Sequence, residues 1–168
     1  MNRMSVGIIV DNLKMGHMNI VMLNSINNLY KTNPEIDVQI FMEERGPIPI
    51  APSAPINTLD ILGSWEHPII STSTNTLMTA LLSRSNMILN YIFDLDFLHK
   101  KHISFSSIIN AISHPKVVNV TRNNLYRSII LEQFANKCFM SDKDILDFDI
   151  TEFIKIIGSH SCQETSKN

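Results

Sequence analysis

The fold is decided by the opening stretch, in which the run SVGIIV at residues 5–10 is followed by the turn DNLKMG at residues 11–16. A short run that is apolar at nearly every position predicts a strand buried on both faces, as in parallel sheets. The next segment, residues 17–31, predicts an amphipathic helix. Its apolar stripe consists of Met18, Val21, Met22, Ile26 and Leu29. A strand, a turn and a helix in this order are the basic unit of an α/β domain.

The same alternation continues along the chain. Further strands are predicted at residues 36–42, 59–62, 69–70, 86–93, 116–120 and 137–140. Helices are predicted after the hydroxyl run at residues 71–74, after Ser104, over residues 125–134 and after Asp149, which forms a capping-box pattern with Glu152. Strands that alternate with helices predict a three-layer, Rossmann-like α/β domain with a mainly parallel sheet.

The chain of 168 residues has the length of one domain, which we place at residues 1–158. Within it, residues 45–58 are rich in proline and predict a stiff loop without regular structure. The last residues, 159–168, are polar and are predicted to form a disordered tail.

Composition and charge exclude several classes of protein. A hydrophobic content of 44% argues against general disorder, and a net charge of -2 gives no positive field for nucleic acid or an acidic membrane. No apolar stretch is long enough to span a membrane, and the first residues lack the pattern of a signal peptide. The two cysteines, Cys138 and Cys162, predict no disulfide framework. We therefore expect a cytoplasmic protein that binds neither nucleic acid nor membrane.

In open parallel sheets, ligands bind beyond the carboxyl ends of the strands, near the point where the strand order reverses. Polar residues at four such ends are therefore the candidate site residues. They are Asp11, Asn12, Gly16 and His17; Ser71, Thr72, Ser73 and Thr74; Asp94 and Asp96; and Thr121, Arg122 and Asn123. We expect a small anionic ligand such as a nucleotide, because the helix N-terminus after residues 71–74 and the Arg122 guanidinium can bind phosphate oxygens. Asp11 and His17 are the candidates for acid–base chemistry. The cofactor stays open, since the glycine-rich fingerprints of dinucleotide and triphosphate sites are missing.

The segment GIIVDNLKMGH at residues 7–17, with the helix that follows it, resembles the opening unit of a lobe of GT-B-type glycosyltransferases. The segment VNVTR at residues 118–122, followed by a helix, a short strand and DFD at residues 147–149, is similar to the end of such a lobe. Only Gly16 stands in the first turn, where that family often has two glycines. This layout is also similar to that of poorly characterised tailed-phage proteins.

The resemblance implies a nucleotide-sugar ligand and sugar transfer in a cleft between two lobes. Because one lobe lacks its partner, it also implies a homo-oligomer or a protein partner that completes the cleft. The similarity to phage proteins implies the cytoplasm of a bacterial host. Fold alone does not establish any of these activities.

A second interpretation starts from YIFDLD at residues 91–96, since two carboxylates at this spacing can hold a divalent cation. The string resembles the first motif of haloacid-dehalogenase-type phosphatases. That resemblance implies Asp94 as the nucleophile, Thr121 as the second motif, and Asp142 and Asp144 as the final acidic motif. The bulky residues that follow the first motif depart from the pattern of that family.

A third interpretation is a non-catalytic assembly or interaction module of phage origin. It is favoured by the absence of any complete catalytic motif. The proline-rich residues 46–55 would then serve as a stiff docking arm.

Overall fold

The computed structural model describes residues 4–44, 46–99, 101–134 and 138–164, and the side chains as far as residue 160. The strands in this part of the chain are β1 (Met4–Asn12), β2 (Ile36–Glu44), β3 (Ile56–Thr58), β4 (Ile69–Ser71), β5 (Ile88–Ile92), β6 (Val117–Thr121) and β7 (Phe139–Met140). The α-helices are α1 (His17–Thr32), α2 (Thr74–Ala80), α3 (Phe105–Ile112), α4 (Asn124–Gln133) and α5 (Ile150–Glu164).

The strands form one sheet in the order β3-β2-β1-β4-β5-β6-β7, and every neighbouring pair is parallel. The first six strands follow the order 3-2-1-4-5-6 of the Rossmann fold. The predicted fold class, α/β with a parallel sheet, is therefore confirmed. Because the order reverses between β1 and β4, the carboxyl ends of these two strands flank the topological switch point.

Helices cover both faces of the sheet, because successive side chains of a strand point to opposite faces. On one face, α1 and α5 pack against a layer that includes Val6, Ile8 and Tyr91. On the other face, α2, α3 and α4 pack against a layer that includes Ile9 and Ile69. All five residues of β5 and all five of β6 are buried, which explains why both strands are mainly apolar.

A row of polar side chains crosses three strands on the face covered by α2, α3 and α4. Ser71, Asn90 and Asn119 are paired in register in β4, β5 and β6. Ser71 Oγ donates to Asn90 Oδ1 at 3.1 Å, and Asn90 Nδ2 donates to Asn119 Oδ1 at 2.8 Å. Asn119 Nδ2 donates in turn to the carbonyl oxygens of Ile112 and Phe139. Each side chain of the row has a partner, so their burial leaves none of the three unsatisfied and ties the strands together.

Two predictions fail between β2 and β4. Residues 59–62, predicted to be a strand, belong to a 3₁₀ helix at Leu59–Ser64. Strand β3 instead forms earlier, at Ile56–Thr58, inside the stretch predicted to lack regular structure. Pro55 lies just before β3, and its carbonyl accepts from Ile40 N at 3.0 Å. A proline at the start of an edge strand removes no ladder hydrogen bond, so the strand tolerates it.

The proline-rich loop packs against its own domain rather than projecting from it. Asn27 in α1 donates from Nδ2 to the Ala51 carbonyl at 3.0 Å and accepts from Ser53 N at 2.7 Å. Ala54 is buried, and Ile50 packs against the core. The segment that the third interpretation assigns to a docking arm is thus bound to the rest of its own domain.

Trp65 packs over β1 and β2 at a point where β1 has no side chain. Its ring meets Phe41 edge to face, with centroids 5.1 Å apart. A Cβ built on Gly7 would come within 3.0 Å of both the Phe41 ring and Trp65 Nε1. This close approach therefore requires glycine at position 7, and the Trp65 ring covers the sheet at this point.

Helix α5 continues to Glu164, so residues 159–164, predicted to be disordered, are helical. Residues 165–168 and the side chain of Cys162 lie outside the described part of the chain. Asp149 Oδ1 accepts from the backbone N–H of Thr151 and of Glu152, which is the N-cap half of the predicted capping box. The Glu152 carboxylate pairs with Lys143 and Lys155. No helix in the described residues is both long and apolar enough to cross a membrane.

Candidate functional site

A pocket of about 450 Å³ opens at the topological switch point between β1 and β4. It is lined by the turn after β1, the turn after β4 and the segment after β5. Eight of the candidate residues line it, namely Asp11, Gly16, His17, Thr72, Ser73, Thr74, Asp94 and Asp96. These residues come together because the carboxyl ends of parallel strands meet at one edge of the sheet.

The remaining five candidates lie outside the pocket lining, and each has a partner within the protein; those of Thr121 and Arg122 are described below. Ser71 belongs to the buried polar row. Asn123 is the N-cap of α4, where its Oδ1 accepts from Tyr126 N at 3.0 Å. Asn12 Oδ1 accepts from Lys14 N at 3.0 Å and so shapes the turn after β1.

The pocket meets the first turn of α1, which no side chain caps. Gly16 is the N-cap residue, and the first turn contains no acidic residue. Asn19 Nδ2 donates to the carbonyl oxygens of Asn12 and Lys14, at 3.1 and 2.8 Å, and thereby fixes the turn that leads into the helix. The first N–H groups of a helix have no intrahelical acceptors and carry the positive end of its dipole. This end of the pocket can therefore donate hydrogen bonds to a ligand.

The turn before α2 is closed by its own side chains. Thr76 Oγ1 accepts from the backbone N–H of Thr72 at 2.9 Å and of Ser73 at 2.8 Å. Ser73 Oγ accepts from Thr76 N at 3.2 Å, which completes a capping box. Thr72 Oγ1 donates to the Ile9 carbonyl at 3.0 Å. The hydroxyl run that predicts an anion site thus directs these groups to acceptors within the protein.

The Asp96 carboxylate binds the next residue of this turn, Thr74. Its Oδ1 accepts from Thr74 Oγ1 at 2.6 Å, and its Oδ2 accepts from Thr74 N at 3.1 Å. The chain thus places its own carboxylate where the helix dipole favours an anion. Asp94, two residues earlier, is exposed and lines the pocket.

A second cluster joins the pocket wall to the segment before α5. Nε2 of His17 lies 3.2 Å from Oδ1 of Asp147. The Arg122 guanidinium lies 4.5 Å from the centre of the Phe93 ring, donates from Nε to the Leu146 carbonyl at 2.9 Å, and stands 3.9 Å from Asp147. Arg122 is therefore held by this cluster, whereas the sequence predicts that it binds a phosphate.

Tyr91 supports the same segment from below. Its hydroxyl donates to the Ile145 carbonyl at 3.0 Å. Burial of the phenol, and then the nearby Asp147 carboxylate, raise the pKa of Tyr91 far above its usual range. The neutral hydroxyl is thus a structural link between β5 and the segment that carries Asp147.

Asp147 is not among the residues that the sequence predicts for the site, and it meets His17 across 130 positions of the chain. A contact between a helix start and a loop so far apart in the chain leaves no periodic signal in the sequence. In the sequence, residues 147–149 contribute only to the resemblance to the end of a glycosyltransferase lobe and predict no site.

Two residues of the phosphatase interpretation, Thr121 and Asp144, bind each other. Thr121 Oγ1 donates to Asp144 Oδ1 at 2.8 Å, and Asp144 pairs with Arg127 at 2.9 Å. Among the residues described by the structure, no group of three His, Cys, Asp or Glu side chains could hold a metal ion.

Comparison with protein-family models, curated proteins and solved structures finds no match for this chain. Its function therefore has to be inferred from the geometry of the pocket and the chemistry of the residues that line it.

Proposed function

We propose that this chain binds a small, hydroxyl-bearing ligand of the nucleoside or nucleotide-sugar class in the switch-point pocket. The observation that carries the proposal is the coincidence of the pocket with the point where strand order reverses between β1 and β4. Open α/β sheets bind their ligands at that point. The pocket volume of about 450 Å³ also falls within the range of small-molecule sites.

The lining residues suit such a ligand. Asp11 and Asp94 present carboxylate oxygens, which accept hydrogen bonds from ribose or hexose hydroxyls. The first turn of α1 offers N–H donors to an acceptor oxygen of the ligand. Phe93 adds an aromatic surface at the same wall. The pocket therefore combines apolar area with a few polar groups that can fix the orientation of a sugar.

Sugar transfer is a second candidate function, and the pair of His17 and Asp147 favours it. A carboxylate next to one ring nitrogen orients the ring and fixes the histidine tautomer, as the acid of a catalytic triad does. In this reaction His17 takes the proton of an acceptor hydroxyl. The acceptor oxygen forms a bond to the anomeric carbon of the sugar, and the bond from that carbon to the nucleotide breaks.

Thermal unfolding with a panel of nucleosides, nucleotides and nucleotide sugars tests the binding proposal. A ligand at a hundredfold excess over its dissociation constant stabilises the folded state by about 2.7 kcal/mol. For a chain of this size, that gain raises the melting temperature by roughly 5–10 °C.

The variant Gly16→Phe is designed to abolish this shift, because Gly16 lines the pocket and a Cβ there meets only the Lys14 carbonyl, at 4.0 Å. Gly63→Phe is the matched control, since Gly63 lies outside the pocket lining and a Cβ there meets nothing within 4 Å. If no compound shifts the melting temperature, or if Gly16→Phe leaves the shift intact, the proposal is wrong.

A further inference from the structure

The titratable side chains that line the pocket are mainly acidic. Within the described residues they are Asp11, His17, Tyr91, Asp94 and Asp96, and no lysine or arginine belongs to the lining. His17 and the Arg122 guanidinium, which lies behind the pocket-wall residue Phe93, share the Asp147 carboxylate at 3.2 and 3.9 Å. The lining itself, with three aspartates and one histidine, is therefore negatively charged, although the chain as a whole carries a net charge of only -2.

The helix ends do not reverse this charge. An α-helix N-terminus is equivalent to about half a positive elementary charge. At α2 that half charge already faces the Asp96 carboxylate. At α1 it remains open to the pocket, where Asp11 and Asp94 together carry two full negative charges. Even without the contribution of Asp96, the negative charges outweigh the positive end of α1.

We infer that the pocket selects an uncharged or cationic ligand that is rich in hydroxyl or amino groups, such as a nucleoside, over its phosphorylated forms. This inference rests on the proposed function and narrows its ligand class to the nucleoside, which disfavours the phosphate-bearing nucleotide-sugar donor of the second candidate function. A hydroxyl or amino group donates hydrogen bonds to Asp11 and Asp94, whereas a phosphate is repelled by both. Asp94 is the residue that the test should address, because it is exposed and lines the pocket.

Isothermal titration of matched series tests the inference. The probes are adenosine, guanosine, cytidine and uridine, each compared with its 5′-monophosphate and 5′-diphosphate, in buffer that contains a metal chelator. We expect at least one nucleoside to bind about tenfold or more tightly than its diphosphate. Raising the salt concentration from about 0.05 to about 0.5 M should narrow that ratio, because salt screens the repulsion of the phosphates.

Asp94→Asn should narrow the same ratio severalfold, mainly by improving the affinity for the diphosphate. Glu35→Gln is the matched control, because it removes one negative charge from an exposed residue just before β2, at the opposite edge of the sheet. It should leave the ratio unchanged.

The outcomes separate this inference from the proposed function. If the diphosphate binds as tightly as the nucleoside, or if Asp94→Asn leaves the ratio unmoved, the inference is overturned and the binding function stands. If none of the twelve probes and no nucleotide sugar binds, the proposed function fails, and the inference fails with it.

Discussion

The two turns that meet at the pocket, one after β1 and one after β4, are built in opposite ways. The turn after β4 engages its backbone N–H groups internally, through Thr76 Oγ1 and the Asp96 carboxylate. In the turn after β1, two carbonyl oxygens accept hydrogen bonds from the Asn19 side chain. No side chain caps the first N–H groups of α1, which follow this turn. One turn is thus stabilised by satisfying its donors, and the other leaves its donors available.

This difference assigns separate roles to two turns at the same sheet edge. A turn whose backbone N–H groups already have acceptors within the protein offers none of them to a ligand. A turn with free donors gains hydrogen bonds when a ligand arrives. Substitutions should therefore lower stability more at the turn after β4 than at the turn after β1.

The largest effect is expected for Thr76→Val, which keeps the shape of the side chain and removes its oxygen. The N–H groups of Thr72 and Ser73 would lose their acceptor at a buried turn. We expect a loss of about 3 kcal/mol, since each unsatisfied buried donor costs about 1–3 kcal/mol. Chemical denaturation measures this loss. Thr79→Val in the same helix is the control, because Thr79 Oγ1 only donates to the Asn75 carbonyl; equal losses in the two variants would refute the role of Thr76.

Asp96→Asn should have the next largest effect. It replaces one carboxylate oxygen with an amide group and removes the charge that faces α2, so we expect a loss of about 1.5 kcal/mol. The control is Asp94→Asn, which changes an exposed side chain and should stay within about 0.5 kcal/mol of the unmodified protein. A loss at Asp94 as large as the loss at Asp96 would show that the contact with Thr74 does not set the effect.

Asn19→Ala removes the two hydrogen bonds that shape the turn after β1. Because this turn is only partly buried, we expect a loss of about 1 kcal/mol by chemical denaturation. Asn24→Ala, at an exposed position of the same helix, corrects for the higher helix propensity of alanine. Stability that is the same in both variants would show that Asn19 does not hold the turn.

The smallest effect is expected for Gly16→Ser, which offers α1 the cap that it lacks. Serine exceeds glycine as an N-cap residue by only a few tenths of a kcal/mol, so a gain of about 0.3 kcal/mol is expected. The same change should weaken ligand binding, because the new hydroxyl competes for the N–H groups that a ligand would use. A gain in stability without any loss of affinity would show that the ligand does not use the first turn of α1.

The parallel sheet could be predicted because its strands are buried on both faces and read as continuous apolar runs. Strand β3 could not, because it is only three residues long and follows Pro55 directly. The error at residues 59–62 has the same origin. A short apolar run is compatible with a strand or with a helical turn, and only contacts with the rest of the protein decide between them.

The site was predictable only where strand ends determine it. Residues after β1, β4 and β5 share the pocket because those strands are neighbours in the sheet. The sequence could not predict that Thr76 and Asp96 bind groups of residues 72–74. The type of a residue does not show whether its hydroxyl and N–H groups are free or hydrogen-bonded. Nor could the sequence predict the contact of His17 with Asp147, which depends on how the segment before α5 crosses the sheet edge.

The central position of β1 also has a consequence for how the chain is made. One side of β1 can pair with β2 as soon as Glu44 has left the ribosome, but the other side must wait for β4, which ends at Ser71. At about 5–20 residues per second, that interval lasts roughly 1–5 s. During this time a strongly apolar strand presents an unpaired edge, which is the condition under which nascent chains associate with one another. Slowing translation between β2 and β4 should therefore lower the yield of soluble protein more than the same delay after β7, when each strand of the sheet has been made.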